Sequence, residues 1–279
     1  MMKLLIHFVA VALLISCSKN ETQEMIIKEK TAEPRKSVFE DDFENGLKDF
    51  WVLELTDSSR YELVPDPLNS QNKVLRMELL NEDYVSGGKR SELLIWTKDS
   101  LGYVANYSFR FMLPESFFIR DQNSEMIIIH QWHDSPDPGF NWRTQNKFTQ
   151  PPVYLFIDKT ENDIYNLVFK TGLSTGEMDE TISLVWKEEL VPNKWYTFSC
   201  EVHWHVYSNK AYSIPKLNDE YFFTKSLKGG ETENKVYRRN MYNSLANYPK
   251  IGVYRFGNLE RNYFMYFDDF KLETRAPDK

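Results

Sequence analysis

Short runs in which apolar and polar residues alternate recur along most of the chain, and they constrain its fold more than any other feature. The run Tyr107–Met112 alternates with a period of two, which places its apolar side chains on one face of a β-strand. Similar runs occupy residues 73–80, 91–96, 103–113, 153–158, 165–170, 181–187 and 194–207. Amphipathic helical runs are scarce, and residues 238–246 form the best short candidate. This pattern predicts an all-β chain folded as an antiparallel sandwich or jelly roll.

The two ends of this β-rich region have similar sequences. Phe39–Glu44 opens the region and Tyr263–Leu272 closes it, and each combines aromatic residues with a pair of aspartates. We expect two strands of such similar pattern to lie side by side in one sheet. A length of 279 residues is enough for one large core, and the sequence has no second domain boundary. We therefore predict a single β-domain over residues 38–279.

The N-terminus has the pattern of an export signal. Residues 4–15 form an apolar run that is too short to span a bilayer and is typical of a signal peptide. The Leu-Ile-Ser-Cys sequence that ends at Cys17 resembles the lipobox of bacterial lipoproteins, in which the cysteine is lipidated. The alternative is an ordinary signal peptide that contains a cysteine. We predict a signal peptide over residues 1–16, lipidation of Cys17, a flexible tether over 17–37 and a location at the bacterial outer membrane.

Composition narrows the class of partner. Aromatic residues make up 15% of the chain, which suits both a strand-rich fold and a protein that stacks sugar rings. The formal net charge of -7 argues against a nucleic acid or an anionic membrane surface as the partner. A polyanionic ligand would therefore need a local basic groove inside an acidic shell.

The run Ile127–His133 carries the most unusual combination of side chains. It begins with β-branched residues, which favour a buried strand, and ends with an amide, an indole and two imidazoles. On a strand, Gln131 and His133 would point one way, and His130 and Trp132 the other. A buried strand with an amide and an imidazole on one face can form the floor of an active site. Core polar residues with satisfied hydrogen bonds would give the same pattern.

Two further predicted strands carry polar residues that share a face. Arg90 and Glu92 share a face of one strand, and Lys250, Gly252 and Tyr254 share a face of the other. Gly252 has no side chain, which would leave room for a ligand to approach the backbone. If these two strands and the preceding one lie side by side, one surface presents Arg90, Gln131, His133, Lys250 and Tyr254.

That set of side chains meets the needs of β-elimination on a uronic acid sugar. The proton at C5 can be removed only when the neighbouring carboxylate is neutralised, which a guanidinium, an ammonium or an amide can do. His133 could abstract that proton near neutral pH. Tyr254, a phenol held near cations, could protonate the leaving glycosidic oxygen. This chemistry does not demand a metal or a cofactor.

Three motifs resemble the signature strands of the jelly-roll polysaccharide lyases: Arg-Ser-Glu-Leu at 90–93, Gln-Trp-His at 131–133 and Tyr-Pro-Lys-Ile-Gly-Val-Tyr at 248–254. The resemblance covers residues 38–273. It is greater to heparin lyase I and the glucuronan lyases than to alginate lyases, because Trp132 and Arg255 depart from the alginate lyase pattern. The resemblance implies a β-jelly roll, or concanavalin A-like antiparallel sandwich, with a concave substrate groove.

The resemblance also implies roles for individual residues. His133 would be the base or a partner to the base, and Tyr254 would be the acid, with a second role as base left open. Gln131 and Arg90 would neutralise the substrate carboxylate, and Lys250 would bind the chain or assist Tyr254. The predicted substrate-binding residues are Lys250, Glu92, Lys89, Trp142, Arg143 and Arg255, of which Glu92 would also orient Arg90. Trp142 and Arg143 belong to a polar loop over residues 134–150, whose length is usual for functional or disordered loops.

The sequence therefore predicts a lyase that acts on glucuronan or a similar polyuronate. An anionic polysaccharide is the expected partner, with no nucleic acid, contact with a membrane only through the lipid anchor, and a monomeric state. No cofactor is expected to be required, while a structural Ca²⁺ and the choice between endo and exo action remain open.

Other functions are compatible with parts of the sequence. A non-catalytic sugar-binding lipoprotein of the same fold would need aromatic residues, but it would not need the five polar side chains to converge. The Glu-Met-Asp-Glu run at 177–180 is similar to the Glu-x-Asp-x-x-Glu of retaining glycosidases, but the third carboxylate is missing. His203 and His205 have the spacing of a zinc pair without a further ligand nearby. Cys200 lies in a predicted strand, and we expect it to be a packed residue rather than a nucleophile.

Overall fold

The computed structural model describes residues 36–97, 100–140, 150–174, 179–222, 234–256 and 260–277. Its strands are β1 Lys36–Asp41, β2 Val52–Glu54, β3 Tyr61–Asp66, β4 Asn69–Leu79, β5 Lys89–Leu94, β6 Val104–Met112, β7 Glu125–His133, β8 Val153–Lys159, β9 Tyr165–Thr171, β10 Ile182–Glu189, β11 Trp195–His203, β12 Tyr212–Leu217, β13 Glu220–Tyr221, β14 Tyr248–Phe256 and β15 Tyr263–Arg275. Two short 3-10 helices occupy Ser58–Arg60 and Glu115–Phe117. Among the described residues, no helix is long and apolar enough to cross a bilayer.

These strands form two antiparallel sheets. The eight-stranded sheet has the order β13-β12-β11-β6-β15-β4-β3, and β1 also pairs with β15. The seven-stranded sheet has the order β10-β9-β8-β7-β14-β5-β2. Among the described strands, seven of the thirteen neighbouring pairs join strands that are not consecutive in the sequence, as in the sandwich and jelly-roll folds. The predicted all-β sandwich is confirmed.

The first and last strands are neighbours, as their similar sequences predict. Lys36 of β1 pairs with Arg275 of β15, and Asp41 pairs with Phe270. The strand therefore begins two residues before the predicted start of the domain at residue 38. The chain from Pro34 to Lys279 forms one compact unit. The predicted signal peptide and the lipidation site Cys17 lie outside the described residues.

The core lies between the two sheets and is built from the inward-facing residues of each strand. Phe109 and Phe198 of the eight-stranded sheet are fully buried, with ring centroids 5.6 Å apart. Phe169 of the seven-stranded sheet packs on Phe198 at 6.2 Å. Burial of these rings holds one face of the seven-stranded sheet against the core, which leaves its opposite face, here called the cleft face, to carry other side chains.

A β-bulge in β7 reverses which residues face the cleft. The register of β7 against β8 shifts between Ile128 and His130. With strict alternation, Ile127, Ile129, Gln131 and His133 would all share one face. In the structure Ile127 and Ile129 pack in the core, whereas Gln131 and His133 face the cleft. The extra residue of the bulge therefore places Gln131 and His133 on the opposite face from Ile127 and Ile129.

Residues 238–246, the best candidate for a short helix, are irregular in the structure. The asparagine side chains in this segment form hydrogen bonds with backbone groups. Asn240 donates to the carbonyl of His203, and Asn243 donates to that of Ser135 and accepts from the amide of Leu245. Side chains of this kind compete with helix formation.

Candidate active site

The three motif strands lie side by side in the order β7-β14-β5, as predicted. Across β14 and β7, Lys250 pairs with Gln131 and Tyr248 pairs with His133. Across β14 and β5, Tyr254 pairs with Arg90. Antiparallel pairing therefore brings together side chains from three distant parts of the chain.

A cleft of about 450 Å³ lies over these strands. Its lining includes all five residues that the sequence predicts to converge: Arg90, Gln131, His133, Lys250 and Tyr254. Glu54, Asp134, Gln150 and Tyr248 also line it, and Trp96 and Phe256 contribute exposed aromatic rings. The convergence of these five residues on one cleft is the feature that separates the lyase hypothesis from a sugar-binding protein.

Two cations and two carboxylates form the centre of the cleft. Arg90 Nη1 lies 3.2 Å from Glu92 Oε2 and 3.6 Å from Glu54 Oε1. Lys250 Nζ donates to Glu54 Oε2 and lies 3.7 Å from Glu92 Oε2. All four side chains are largely buried, so each charge is compensated by a partner of opposite sign.

Glu54 remains ionised despite its burial. Burial alone would raise the pKa of Glu54, but Lys250 and Arg90, with hydrogen bonds from Lys250 and Ser86, hold it below the ordinary value. Burial opposes the charge of Arg90, whose pKa is nevertheless raised by Glu92 and Glu54. The four charges sum to zero, so a substrate carboxylate must use donors that remain beside these ion pairs.

Gln131 and Arg90 retain such donors. The Gln131 amide donates one hydrogen from Nε2 to Glu92 Oε1, which leaves its second hydrogen. Arg90 Nε is buried and has no hydrogen-bond partner among the described residues. Glu92 thus contacts both side chains, and each keeps a donor for which no partner occurs among the described residues.

His133 is held in one tautomer. Its Nδ1 lies 3.2 Å from the carbonyl oxygen of Asp134, and because a carbonyl oxygen only accepts, Nδ1 must carry the hydrogen. Burial, with Lys250 and Arg90 nearby, lowers the pKa of His133 to about 3, so the ring is neutral and Nε2 holds a lone pair. Tyr248 stacks on the ring with centroids 5.5 Å apart. His133 is therefore oriented as a proton acceptor.

Tyr254 is held as a neutral phenol beside a cation. Its ring centroid lies 3.9 Å from the guanidinium carbon of Arg90. Burial raises the pKa of Tyr254, and Arg90 offsets part of this increase. Gly88 packs against the ring, since a Cβ built on it would lie 2.7 Å from the Tyr254 Cε2 atom. A protonated phenol whose anion would lie next to Arg90 can act as a general acid.

A comparison with known families agrees with this geometry. The sequence profile of the polysaccharide lyase family matches residues 43–271. The chain belongs to the polysaccharide lyase family. The prediction of a polysaccharide lyase made from the three strand motifs is thereby confirmed. No curated protein sequence matches that of the lyase.

Several solved structures share the fold of the lyase. An endo-β-1,4-glucuronan lyase from the fungus Trichoderma reesei has a TM-score of 0.59 at 13% identity, over 84% of this chain and 94% of that chain. An alginate lyase in complex with dimannuronate has 0.52 at 11%, over 75% and 77%. An endo-1,3-β-glucanase from Streptomyces sioyaensis has 0.54 at 11%, over 87% and 97%. At such identities the likeness shows the fold alone.

Two residues predicted to bind substrate do not reach the cleft of the lyase. Arg255 is buried on the opposite face of β14 from Tyr254, where it donates to the Arg261 carbonyl at 2.7 Å and lies 3.8 Å from Glu125 Oε1. Lys89 Nζ donates to Asn81 Oδ1 at 2.9 Å. Both predictions are wrong, because each residue neighbours a cleft residue on its strand and therefore points the other way.

Glu92 and Gly252 also differ from their predicted roles. Glu92 is only 1% exposed and is used by Arg90, Gln131 and Lys250, so it organises the site rather than binding substrate. Gly252 has φ 145°, and a Cβ built on it would lie 2.2 Å from the Ser91 carbonyl oxygen. Its missing side chain admits the backbone of β5, not a ligand. Trp142 and Arg143 lie outside the described residues.

Glu54, Tyr248 and Asp134 are cleft residues that the sequence interpretation missed. Glu54 lies on β2, a strand of only three residues that pairs with β5. Its position opposite Glu92 could have been found only by pairing the short run around Glu54 with the Arg-Ser-Glu-Leu motif. Asp134 is 2% exposed and has Oδ1 3.5 Å from His133 Nδ1. Burial raises its pKa to about 8.

The residues that suggested a zinc site, a glycosidase or a cysteine nucleophile do not have the surroundings that those functions need. His203 Nδ1 lies 2.6 Å from the Lys210 carbonyl, and no cluster of three His, Cys, Asp or Glu side chains suited to a metal occurs in the part of the chain that the structure describes. Glu180 Oε2 accepts from Arg239 Nε at 2.6 Å. Cys200 is buried, and burial raises the pKa of its thiol to about 12, as expected for a packed residue.

Proposed function

We propose that this lyase cleaves glucuronan or a similar polyuronate by β-elimination and needs no metal for the chemical step. The observation that carries the proposal is the convergence of Arg90, Lys250, Gln131, His133 and Tyr254 on one cleft. Binding a neutral sugar would not require a guanidinium, an ammonium, an imidazole and a phenol together. The fold-sharing lyases act on glucuronan and alginate, which supports a polyuronate as the substrate class.

The first requirement of the reaction is a more acidic C5 proton. We place the substrate carboxylate beside the second hydrogen of the Gln131 amide and the remaining donors of Arg90 and Lys250. Partial neutralisation of the carboxylate stabilises the carbanion that develops at C5. Side chains already supply this stabilisation, and for that reason the proposal does not call on a metal ion.

The second requirement is a base and an acid at different positions. His133 and Tyr254 lie on either side of the row formed by Lys250 and Gln131, because Tyr248 pairs with His133 and Tyr254 lies four residues beyond Lys250. His133 Nε2 takes the C5 proton as the C5–H bond breaks. The electrons form the C4–C5 double bond, the C4–O bond breaks, and Tyr254 donates its proton to the leaving oxygen.

The acid and the base must then exchange their protons with water before the next cycle. Elimination leaves His133 protonated and Tyr254 ionised, beside Arg90. Since His133 has a lowered pKa, it loses the added proton readily, and since Tyr254 has a raised pKa, its phenolate regains one readily. Both shifts therefore favour return to the starting state.

The location of the lyase is a separate proposal. We propose that it is tethered to the outer membrane through a lipid at Cys17, on the basis of the lipobox-like sequence alone. Mass measurement of the mature protein from bacterial membranes tests this, because lipidation adds acyl mass at Cys17. Release of an unmodified chain into the medium would contradict it.

Ultraviolet absorbance of the unsaturated uronate tests the elimination. The soluble domain without Cys17 is mixed, with and without EDTA, with glucuronan, alginate, heparin, hyaluronan and ulvan. We expect absorbance to rise with glucuronan or one similar polymer and to be unchanged by EDTA. No rise with any polymer, together with retained binding of one of them, would favour a sugar-binding function. A rise abolished by EDTA and restored by a metal would contradict the metal-independent step.

A further inference from the structure

A row of paired residues crosses the cleft face at right angles to the strands. Lys250 of β14 pairs with Gln131 of β7, Gln131 with Tyr154 of β8, and Tyr154 with Lys170 of β9. Neighbouring strands lie about 4.8 Å apart, so three steps place the backbone of Lys170 about 14 Å from that of Lys250. The row therefore has one lysine at each end, Lys250 on β14 and Lys170 on β9.

Lys170 belongs to the same face as the cleft. Its neighbour Phe169 packs in the core, and Leu155 does the same beside Tyr154 on β8, so Tyr154 and Lys170 point away from the core. The Tyr154 hydroxyl donates to Gln150 Oε1 at 2.7 Å, and Lys170 Nζ donates to the same oxygen at 3.0 Å. Gln150 also lines the cleft, so its side-chain oxygen connects Lys170 to the residues of the cleft.

The surroundings of Lys170 contain no compensating charge at contact distance. Among the described residues, no carboxylate lies within 4.0 Å of its Nζ atom, and its contacts are the Gln150 amide oxygen and the Tyr154 ring, 5.8 Å from Nζ. Asp179 is influenced by the lysine charge but forms no ion pair with it. Lys250, by contrast, contacts both Glu54 and Glu92. The charge of Lys170 is thus held in place by neutral groups and remains able to attract an anion.

We propose that Lys170, positioned by Gln150 and Tyr154, binds the carboxylate of a second sugar residue of the polymer, further along the chain than the residue held at Lys250. This inference rests on the proposed function, because it requires that a polyuronate lies across the cleft face. It defines the substrate class more closely. The polymer must carry uronate residues repeatedly along the chain, so isolated uronates between neutral sugars would lose this contact.

Binding of size-fractionated glucuronan oligosaccharides tests this proposal without requiring turnover. Calorimetry compares Lys170→Gln, Lys170→Arg and Lys216→Gln, each in a Tyr254→Phe background that prevents cleavage. Lys216 is the matched control, because its Nζ lies over a tyrosine ring, that of Tyr221, on the other sheet. Neutral cello-oligosaccharides of the same lengths serve as the ligand control.

We expect Lys170→Gln to weaken binding of long oligosaccharides about fivefold, the size expected for a partly exposed ion pair. Lys170→Arg should restore the affinity, Lys216→Gln should not change it, and disaccharides too short to reach Lys170 should bind all variants alike. Equal affinity of Lys170→Gln and Lys216→Gln for every length would overturn the subsite. If this dependence on Lys170 is observed but parent enzyme never yields an unsaturated product, the elimination fails and the subsite stands.

Discussion

The guanidinium carbon of Arg90 lies 3.9 Å from the centroid of the Tyr254 ring. The cation therefore faces the group that loses a proton when the leaving oxygen departs. A neighbouring positive charge favours the phenolate, while burial favours the neutral phenol. The balance keeps Tyr254 protonated before the reaction and stabilises its anion afterwards, which is the behaviour required of a general acid.

Replacing Tyr254 by Phe removes the acid and keeps the ring that packs on Arg90. We expect kcat to fall about 10²–10⁴-fold, the usual contribution of general acid–base catalysis, while polymer affinity stays close to that of the parent. Rates are measured by absorbance of the product and affinity by calorimetry. Tyr207→Phe is the control, because Tyr207 is exposed and does not line the cleft. Near-normal kcat in Tyr254→Phe would remove this residue from the mechanism.

Two neighbouring glycines should respond differently to alanine. A Cβ at Gly88 would lie 2.7 Å from the Tyr254 ring, so Gly88→Ala should displace the phenol and lower kcat at least tenfold with little change in unfolding free energy. Gly87 has φ 83° and nothing within 4 Å of an added Cβ. Gly87→Ala should therefore cost about 1 kcal/mol of stability and leave kcat unchanged. The opposite pattern in urea unfolding and rate measurements would contradict the packing described for Tyr254.

Features that depend on neighbouring residues could be predicted from the sequence, whereas features that depend on strand pairing could not. The opposite orientations of Gln131 and Trp132 follow from strand alternation, which a sequence displays directly. The same alternation places Arg255 opposite Tyr254, so its assignment to the substrate went against a rule that the sequence already contained. The bulge beside Ile129 and the approach of Ser91 to Gly252 depend on strand pairing. Pairing joins distant segments, and no local pattern specifies it.

Buried histidines predict a dependence of stability on pH. Burial lowers the pKa of His130 and of His133 to about 3, whereas an unfolded histidine has a pKa of about 6.5. Between these values the unfolded chain binds protons that the folded chain does not, so the free energy of unfolding falls as pH decreases through this range. Asp134 and Asp268, with pKa values raised by burial to about 8 and about 6, contribute with the opposite sign.

A variant isolates the histidine contribution. His130 lies among Tyr107 and Phe109, so His130→Phe should remain folded while losing one titrating group. In urea unfolding, we expect the variant to lose less stability than the parent between about pH 6.5 and about pH 4. An identical pH dependence in both proteins would mean that His130 is not held neutral by burial.

Arg255→Ala should affect the fold more than substrate binding. The change would remove the positive charge that lies 3.8 Å from the buried Glu125 Oε1, and loss of one partner of a buried ion pair costs about 3–5 kcal/mol. We expect a lower denaturation midpoint and, in the fraction that remains folded, an unchanged KM. Arg255→Met, which keeps apolar volume, distinguishes lost packing from lost charge. A raised KM with normal stability would restore Arg255 to the substrate-binding residues.

The mass of the cleavage products tests the central claim most directly. Among the described residues, Glu54 and Asp134 line the cleft and Glu92 shares the ion-pair cluster of Glu54, and a hydrolase of this fold would have to use a pair of such carboxyl groups. If Arg90, His133 and Tyr254 instead carry out elimination, each new non-reducing end contains a C4–C5 double bond. Mass spectrometry of glucuronan digests should then show fragments that are one water lighter than the hydrolysis products. Fragments with the full mass of the hydrolysis products, and no unsaturated end, would contradict the elimination.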